Sequence, residues 1–339
     1  MASWKVRLTP GDHEFRVEGE ESVLESALRA GVSVGYGCRS GNCGDCRARV
    51  LSGEVRKIRP HDYVFNEAEK LAGYALMCSV TPASDLVIEM DVAASPDQIP
   101  LQQITTTVRG MERPNPQVLI MRLQTPRTRR LRFLAGQQVR LSMDDGSPSS
   151  TQPLANCPCD DRNLVLHLSA DSRDPFITRC FDQVENGEQV EVEGPLGHFV
   201  LPDETPRPLL FLACNTGFAP VRSLVENVLA QEITEEIDLI WVADEATGHY
   251  QDNLCRSWQD AFDNVHFQSV DWTPGMDMDA LSARLRTALA GIDDPARRHC
   301  FISGPGEFVR LARELALAMG ILPDHQRVQE MPQATVNPG

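Results

Sequence analysis

Cys38-Arg39-Ser40-Gly41-Asn42-Cys43-Gly44-Asp45-Cys46 decides how this chain is read, together with a distant fourth cysteine, Cys78. The spacing is C-x4-C-x2-C, then 31 residues, then Cys. Two irons bridged by two sulfides need four thiolates, and this spacing supplies them as a [2Fe-2S] cluster requires. Gly35, Gly37, Gly41 and Gly44 surround the ligands. A loop that wraps a cluster approaches it with bare backbone, often at positive φ, and glycine does so without steric cost. Its amide N–H groups can then face the sulfurs and offset their negative charge. A zinc site usually pairs its ligands as two short knuckles, whereas here one ligand stands alone. Cys38, Cys43, Cys46 and Cys78 are therefore the expected metal ligands.

Working outward, 339 residues imply two or three domains. A hydrophobic content of 42% with 24% charged residues is that of an ordinary globular chain, not a disordered one. The net charge of -16 argues against nucleic acid or an anionic membrane as the main partner, and fits a protein partner that offers a basic patch. The six cysteines outside the cluster set, Cys157, Cys159, Cys180, Cys214, Cys255 and Cys300, are scattered and resemble no disulfide framework. That usage suits a reducing cytoplasm. The start MASWKVRLTP has no apolar signal core, and no run reaches the ~18 apolar residues of a membrane span.

Residues 1–93 read as one unit. Trp4 to Leu8 and Glu14 to Val17 alternate as strands, Ser22 and Glu25 form a capping box, and Val23, Leu24, Ala27 and Leu28 recur at helical spacing. The cluster loop follows, then strands at Arg47 to Leu51 and Leu86 to Met90. This is a β-grasp arrangement, and the stretch resembles plant-type ferredoxin domains. Ala94 to Pro100 reads as a linker. Residues 100–203 carry short strands between Pro/Gly turns, at Gln117 to Leu123, Gln138 to Met143, Leu164 to Leu168 and Gln189 to Val192, as in an antiparallel β-barrel. With Ala135-Gly136-Gln137 and Gly194-Pro195-Leu196-Gly197 it resembles the flavin barrel of ferredoxin–NADP reductase-like proteins.

Residues 206–332 alternate strand and helix. Leu209 to Ala213 is a continuous apolar run, as a parallel strand buried on both faces requires. Further strands are expected at Ile237 to Ala243, Val265 to Val270 and His299 to Ser303. The result is a doubly wound parallel α/β domain, a third unit beside the α+β ferredoxin and the barrel. Its turns at Asn215–Gly217 and Ser303–Gly306 lie where such sheets take a dinucleotide. Residues 333–339 read as a flexible tail.

Taken whole, the chain resembles the three-domain reductase components that serve oxygenases and deoxyhexose pathways. That resemblance implies NAD(P)H as donor, FAD, the cluster, and a protein acceptor such as an oxygenase. It places Leu154, Ala155, Asn156 and Thr178 at FAD. It places Thr216, Gly217, Ala219, Pro220, Gly304 and Pro305 at the nicotinamide nucleotide, with Ser303 near hydride transfer. Asp244 and Glu245 would disfavour a 2′-phosphate, so NADH is expected over NADPH.

The chain departs from the family pattern at several points. Ser150-Thr151-Gln152-Pro153 stands where the family has Arg-x-Tyr-Ser, removing the arginine that would pair with a phosphate. Asp174-Pro175-Phe176-Ile177-Thr178 replaces a glycine-rich phosphate turn, and Asn215 and Ser303 replace a Gly and a Cys. Two readings therefore stand: an NAD(P)H-dependent reductase, or a flavin-free electron-transfer module whose reductase-like half is a docking scaffold. Cys157-Pro158-Cys159 is expected to be two unlinked thiols, and His61, His167 and His249 have no spaced partner that would make them ligands.

Overall fold

The computed structural model describes residues 3–93, 95–143, 148–202, 207–231, 235–273 and 277–331. The expected tail, 333–339, and part of the linker lie outside them. The first unit contains β1 (Ser3–Thr9), β2 (Glu14–Glu18), α1 (Val23–Arg29), β3 (Arg47–Ser52), β4 (Val55–Lys57), α2 (Glu67–Leu71), β5 (Tyr74–Leu76), β6 (Val80–Pro82) and β7 (Leu86–Glu89). Five strands form a sheet in the order β2-β1-β7-β3-β5, and β4 pairs with β6. Alternation puts Val6 and Leu8 of β1 inside. The capping box is present: Glu25 N–H donates to Ser22 Oγ at 3.2 Å, and Ser22 N–H donates to Glu25 Oε2 at 3.1 Å. Val23, Leu24, Ala27 and Leu28 bury the inner face of α1.

The second unit contains β8 (Gln102–Asn115), β9 (Val118–Gln124), β10 (Gln138–Ser142), β11 (Ser150–Pro153), β12 (Asn163–Ser169), α3 (Pro175–Asp182) and β13 (Gln189–Leu196). The sheet order is β11-β10-β13-β8-β9-β12, with every pairing antiparallel. The seam between its two edge strands is closed just past β11. Ala155 N–H donates to Val165 O, and Val165 N–H donates to Asn156 Oδ1, each at 2.8 Å. Asn156 thus lends a side-chain oxygen where a ladder would use a carbonyl. Phe176, Ile177 and Cys180 of α3 pack into the barrel core.

The third unit contains β14 (Leu209–Cys214), α4 (Phe218–Ala230), β15 (Ile237–Asp244), α5 (Asp252–Ala261), β16 (Val265–Trp272), α6 (Met278–Leu289), β17 (His299–Gly304), α7 (Gly306–Ala318) and β18 (Gln326–Glu330). Its sheet is parallel throughout, in the order β16-β15-β14-β17-β18. Alternate residues of β14 explain the unbroken apolar run. Leu210, Leu212 and Cys214 face α6 and α7, while Leu209, Phe211 and Ala213 face α4 and α5.

The topology reverses between β14 and β17, and there the backbones touch. A Cβ added at Gly217 would strike the carbonyl of Ser303. Backbone cannot yield as a flexible side chain can, so Gly217→Ala should cost about 1–3 kcal/mol. A calorimetric melt of the variant beside the wild type checks this, and an unchanged melting temperature would refute the contact.

Candidate functional site

The cluster loop is built from amides turned inward. Cys38 Sγ receives the N–H groups of Ser40 at 3.3 Å, Asn42 at 3.3 Å and Cys43 at 3.4 Å. Cys43 Sγ receives those of Cys38 at 3.3 Å and Asp45 at 3.4 Å. Gly41 sits at φ 85°, and a Cβ there would press on His61. Cys38, Cys46 and Cys78 are buried, while Cys43 is exposed.

The sulfurs interact with one another, Cys38 with Cys43, Cys46 with Cys78, and Cys43 with Cys46. Burial opposes charge on Cys38, but the Ser40 hydroxyl and the N–H groups of Cys43, Ser40 and Asn42 outweigh it and bring the thiol down to about 6. Cys78 is brought to about 6 by its Cys46 neighbour against the cost of burial, with help from Ser79 and Gly41. The partners move the other way: Cys78 and burial push Cys46 up, while burial and Cys38 push Cys43 to about 11. Four adjacent thiolates need cations between them. Four cysteine thiolates are the donor set that a [2Fe-2S] cluster takes.

The loop is fastened to the barrel. Arg39, next to the first cysteine, reaches Asp161 Oδ1 at 3.0 Å, and Arg130 N–H donates to Gly37 O at 3.0 Å. Arg132 donates to Ser33 O at 2.6 Å. Burial pushes the Asp161 carboxyl up, and Arg39, Tyr36 and Arg130 draw it back. Beside this junction lies a cleft of about 690 Å³ whose lining includes Cys38, Arg59, Arg127 and Arg162.

The barrel residues expected at FAD are largely engaged within the protein. Leu154 and Ala155 are fully buried. Asn156 donates to Cys157 O and Asp160 O, so its side chain is spent on the barrel seam and the next turn. Thr178 is exposed, and its hydroxyl donates to Asp174 O at 3.1 Å. The amides that open α3 are taken: Phe176 N–H donates to Asp174 Oδ1 at 2.8 Å and Ile177 N–H at 3.4 Å. With these donors engaged and a carboxylate among them, the start of α3 does not fit an anion.

In the third unit, Gly217 meets Ser303 and Gly304 where the two sheet turns touch, Thr216 is buried beside it, and Pro305 caps α7. Ser303 is fully buried and its hydroxyl has no partner among the described residues. Ala219 packs against Val118, Ile120 and Val165 of the barrel, and Pro220 is buried in the first turn of α4. Asn215, at φ 53°, donates to Asp244 Oδ2 at 2.5 Å, and Thr247 N–H donates to Asp244 Oδ1 at 2.7 Å.

Sequence reasoning missed three features. His167 lies buried between barrel and α4, bonded to Tyr250 Oη at 2.9 Å; it is dismissible as a ligand, but it is an interface residue. Asp161 carries no motif, and only its pairing in three dimensions reveals it. Cys157 and Cys159, expected as separate thiols, are joined by a disulfide that closes the turn across Pro158. That turn packs on α4 through Ser223, which donates to Asn156 O at 2.7 Å, and Glu226, which accepts from Cys157 N–H at 3.3 Å.

Comparison with known proteins agrees with this architecture. Residues 6–83 match the 2Fe-2S iron-sulfur cluster binding domain. The chain couples that domain to a ferredoxin–NADP reductase-like module. It is 28% identical over 94% of both chains to the reductase component 1 of terephthalate 1,2-dioxygenase from Comamonas sp. It is 28% identical, over 79% of this chain and 80% of the relative, to the CDP-6-deoxy-L-threo-D-glycero-4-hexulose-3-dehydrase reductase of Yersinia pseudotuberculosis. The crystal structure of the Amycolatopsis cytochrome P450 reductase GcoB superposes with a TM-score of 0.61 at 25% identity, covering 96% of this chain and 98% of that one. No helix among the described residues is long and apolar enough to cross a membrane.

Two outcomes follow from these contacts. Asp161→Ala removes the carboxylate that the half-buried Arg39 meets at 3.0 Å and leaves it only Glu25 at 3.9 Å, which should cost about 1.5–3 kcal/mol at the junction; limited proteolysis between residues 93 and 102 should accelerate, and unchanged cleavage would refute the fastening. Burial, with Arg222 and Arg122 nearby, holds His167 neutral well below the usual range. The unfolded chain gains that proton near pH ~6.5. The contribution of His167 is thus whole above that pH and declines as pH falls below it. The melting temperature should drop more between pH 7.5 and 5.5 in the wild type than in His167→Gln.

Proposed function

We propose that this protein is an NAD(P)H-dependent reductase component that delivers single electrons from a [2Fe-2S] cluster to a protein partner. The observation that carries this is the fastening of the cluster loop to the reductase barrel by Arg39–Asp161 and Arg130–Gly37. A one-electron centre and a two-electron module are thereby held as neighbours. A flavin, when bound, supplies the conversion of a hydride's two electrons into single electrons. Cys38, Cys43, Cys46 and Cys78 hold the cluster, and the inward amides of Ser40, Asn42, Cys43 and Asp45 stabilise its negative charge.

Cys43 gives the cluster an exposed edge, flanked by the exposed Asn42 and Asp45. A partner with a basic face fits there, given the net charge of -16. The relatives' names point to an oxygenase or a sugar-nucleotide dehydrase as acceptor class. Asp244 and Glu245 at the end of β15 favour NADH over NADPH, since a 2′-phosphate would meet carboxylates. Outside the cluster set, Cys180, Cys214, Cys255 and Cys300 form no disulfide, which suits the cytoplasm.

The test is anaerobic titration of reconstituted, FAD-saturated protein with NADH. The visible cluster absorption should bleach, iron analysis should give two per chain, and Cys78→Ser should lose the visible spectrum. NADPH should bleach the cluster more slowly. A cluster that stays oxidised under NADH would overturn the reductase reading, and an unchanged spectrum in Cys78→Ser would overturn the ligand set.

A further inference from the structure

The residues that open α3 disagree with a resident FAD. A helix start offers unpaired N–H groups and a positive dipole end, the natural seat for a diphosphate. Here Asp174 Oδ1 already accepts from Phe176 and Ile177. Its other oxygen, Oδ2, accepts the Ser150 hydroxyl at 2.6 Å, and Ser150 Oγ in turn accepts from Gln152 Nε2 at 2.9 Å. Ser150 and Gln152 are each 2% exposed. The carboxylate is therefore aimed by a buried hydrogen-bond chain from β11, and is not a loose surface cap. Ser150 and Gln152 belong to the segment that departs from the reductase pattern, so the altered strand and the altered turn form one interaction. Thr178, the remaining hydroxyl on the first turn, is spent on Asp174 O.

We propose that Asp174 is a tethered anion occupying the phosphate seat of the flavin site, so that FAD binds this chain as an exchangeable group and its diphosphate adds nothing to the affinity. FAD brings two negative charges to a place that already holds one, and like charges oppose each other's ionised forms. The donors that would compensate are already engaged, so a phosphate would have to displace the carboxylate before gaining a bond. This rests on the reductase reading of the site and sharpens it.

The experiment compares FAD with riboflavin, which lacks phosphate, on the full cluster-loaded chain by flavin fluorescence quenching and calorimetry. Wild type should hold the two within about threefold of each other, and Asp174→Gly should tighten FAD at least about tenfold while leaving riboflavin unchanged. Glycine is tolerated at a helix N-cap nearly as well as aspartate, so the variant should keep α3. Asp174→Asn keeps the cap while removing the charge, and should tighten FAD by a smaller factor. If wild type binds neither flavin measurably, gain of FAD but not riboflavin by Asp174→Gly supports the proposal equally. A wild-type preference for FAD of about a hundredfold, or a ratio that neither variant moves, overturns it. Failure of the reductase reading would appear separately, as a cluster that NADH cannot reduce at saturating FAD.

Discussion

Negative charge gathered on sulfur inside a loop is the constraint from which the rest of the molecule follows. Low dielectric penalises a thiolate unless donors meet it. The chain answers by sorting the two ends of its peptide groups. N–H groups of Ser40, Asn42, Cys43 and Asp45 face sulfur. Carbonyls of the same stretch turn away to outside donors: Gly41 O to Tyr63 N–H, Gly44 O to Arg47 N–H, and Gly37 O to Arg130 N–H. Gly41 at φ 85°, Gly44 at φ 86° and Arg39 at φ 56° permit that sorting. A regular strand, whose groups alternate in direction, could not aim several successive amides at one atom.

The outward carbonyls also explain how the cluster unit is positioned. One of them is the receptor for the barrel's Arg130, and Arg39 within the loop carries the cation that Asp161 meets. The groups that shape the loop are thus the groups that dock it. Replacing a buried ion pair with apolar residues is often neutral for stability, but it discards the directional match. Arg39 is matched on two sides, with Glu25 at 3.9 Å from the ferredoxin-like unit and Asp161 at 3.0 Å from the barrel. An electron carrier benefits from such direction, because its cofactors work only when held close.

The sequence made the cluster unit and the parallel sheet legible for physical reasons. Ligand spacing is local, and so is the capping box of Ser22 and Glu25. The run Leu209 to Ala213 announced a doubly buried strand. The barrel was harder. β8, with 14 residues the longest strand among the described residues, carries no clean alternation, because Gln103, Thr105 and Arg109 on its outer side are polar and its register shifts near Gly110 and again before Asn115. The seam role of Asn156, closing the barrel with a side-chain oxygen, is not legible because it depends on a strand that arrives only at Val165. Asp161, His167 and the Cys157–Cys159 disulfide act across distances that no short pattern encodes.

The reductase half shares one habit that the cluster half lacks. Asn215 stands in place of a glycine and spends its amide on Asp244. Asp174 stands in place of a phosphate turn and spends its carboxylate on α3 and Ser150. Each substitution supplies a polar group together with the partner that satisfies it, so neither leaves a buried donor waiting for a ligand. Ligand binding stabilises a fold by favouring the folded state over the unfolded one. A site that satisfies its own polar groups needs less of that help, and it makes any incoming nucleotide compete with a tethered neighbour. In the cluster loop the opposite holds: N–H groups converge on Cys38 Sγ and Cys43 Sγ, donors arranged for the negative charge of a bound cluster. The two halves thus differ in where their polar groups go: the cluster loop turns its donors inward to sulfur, and the reductase half spends Asn215 and Asp174 on its own residues.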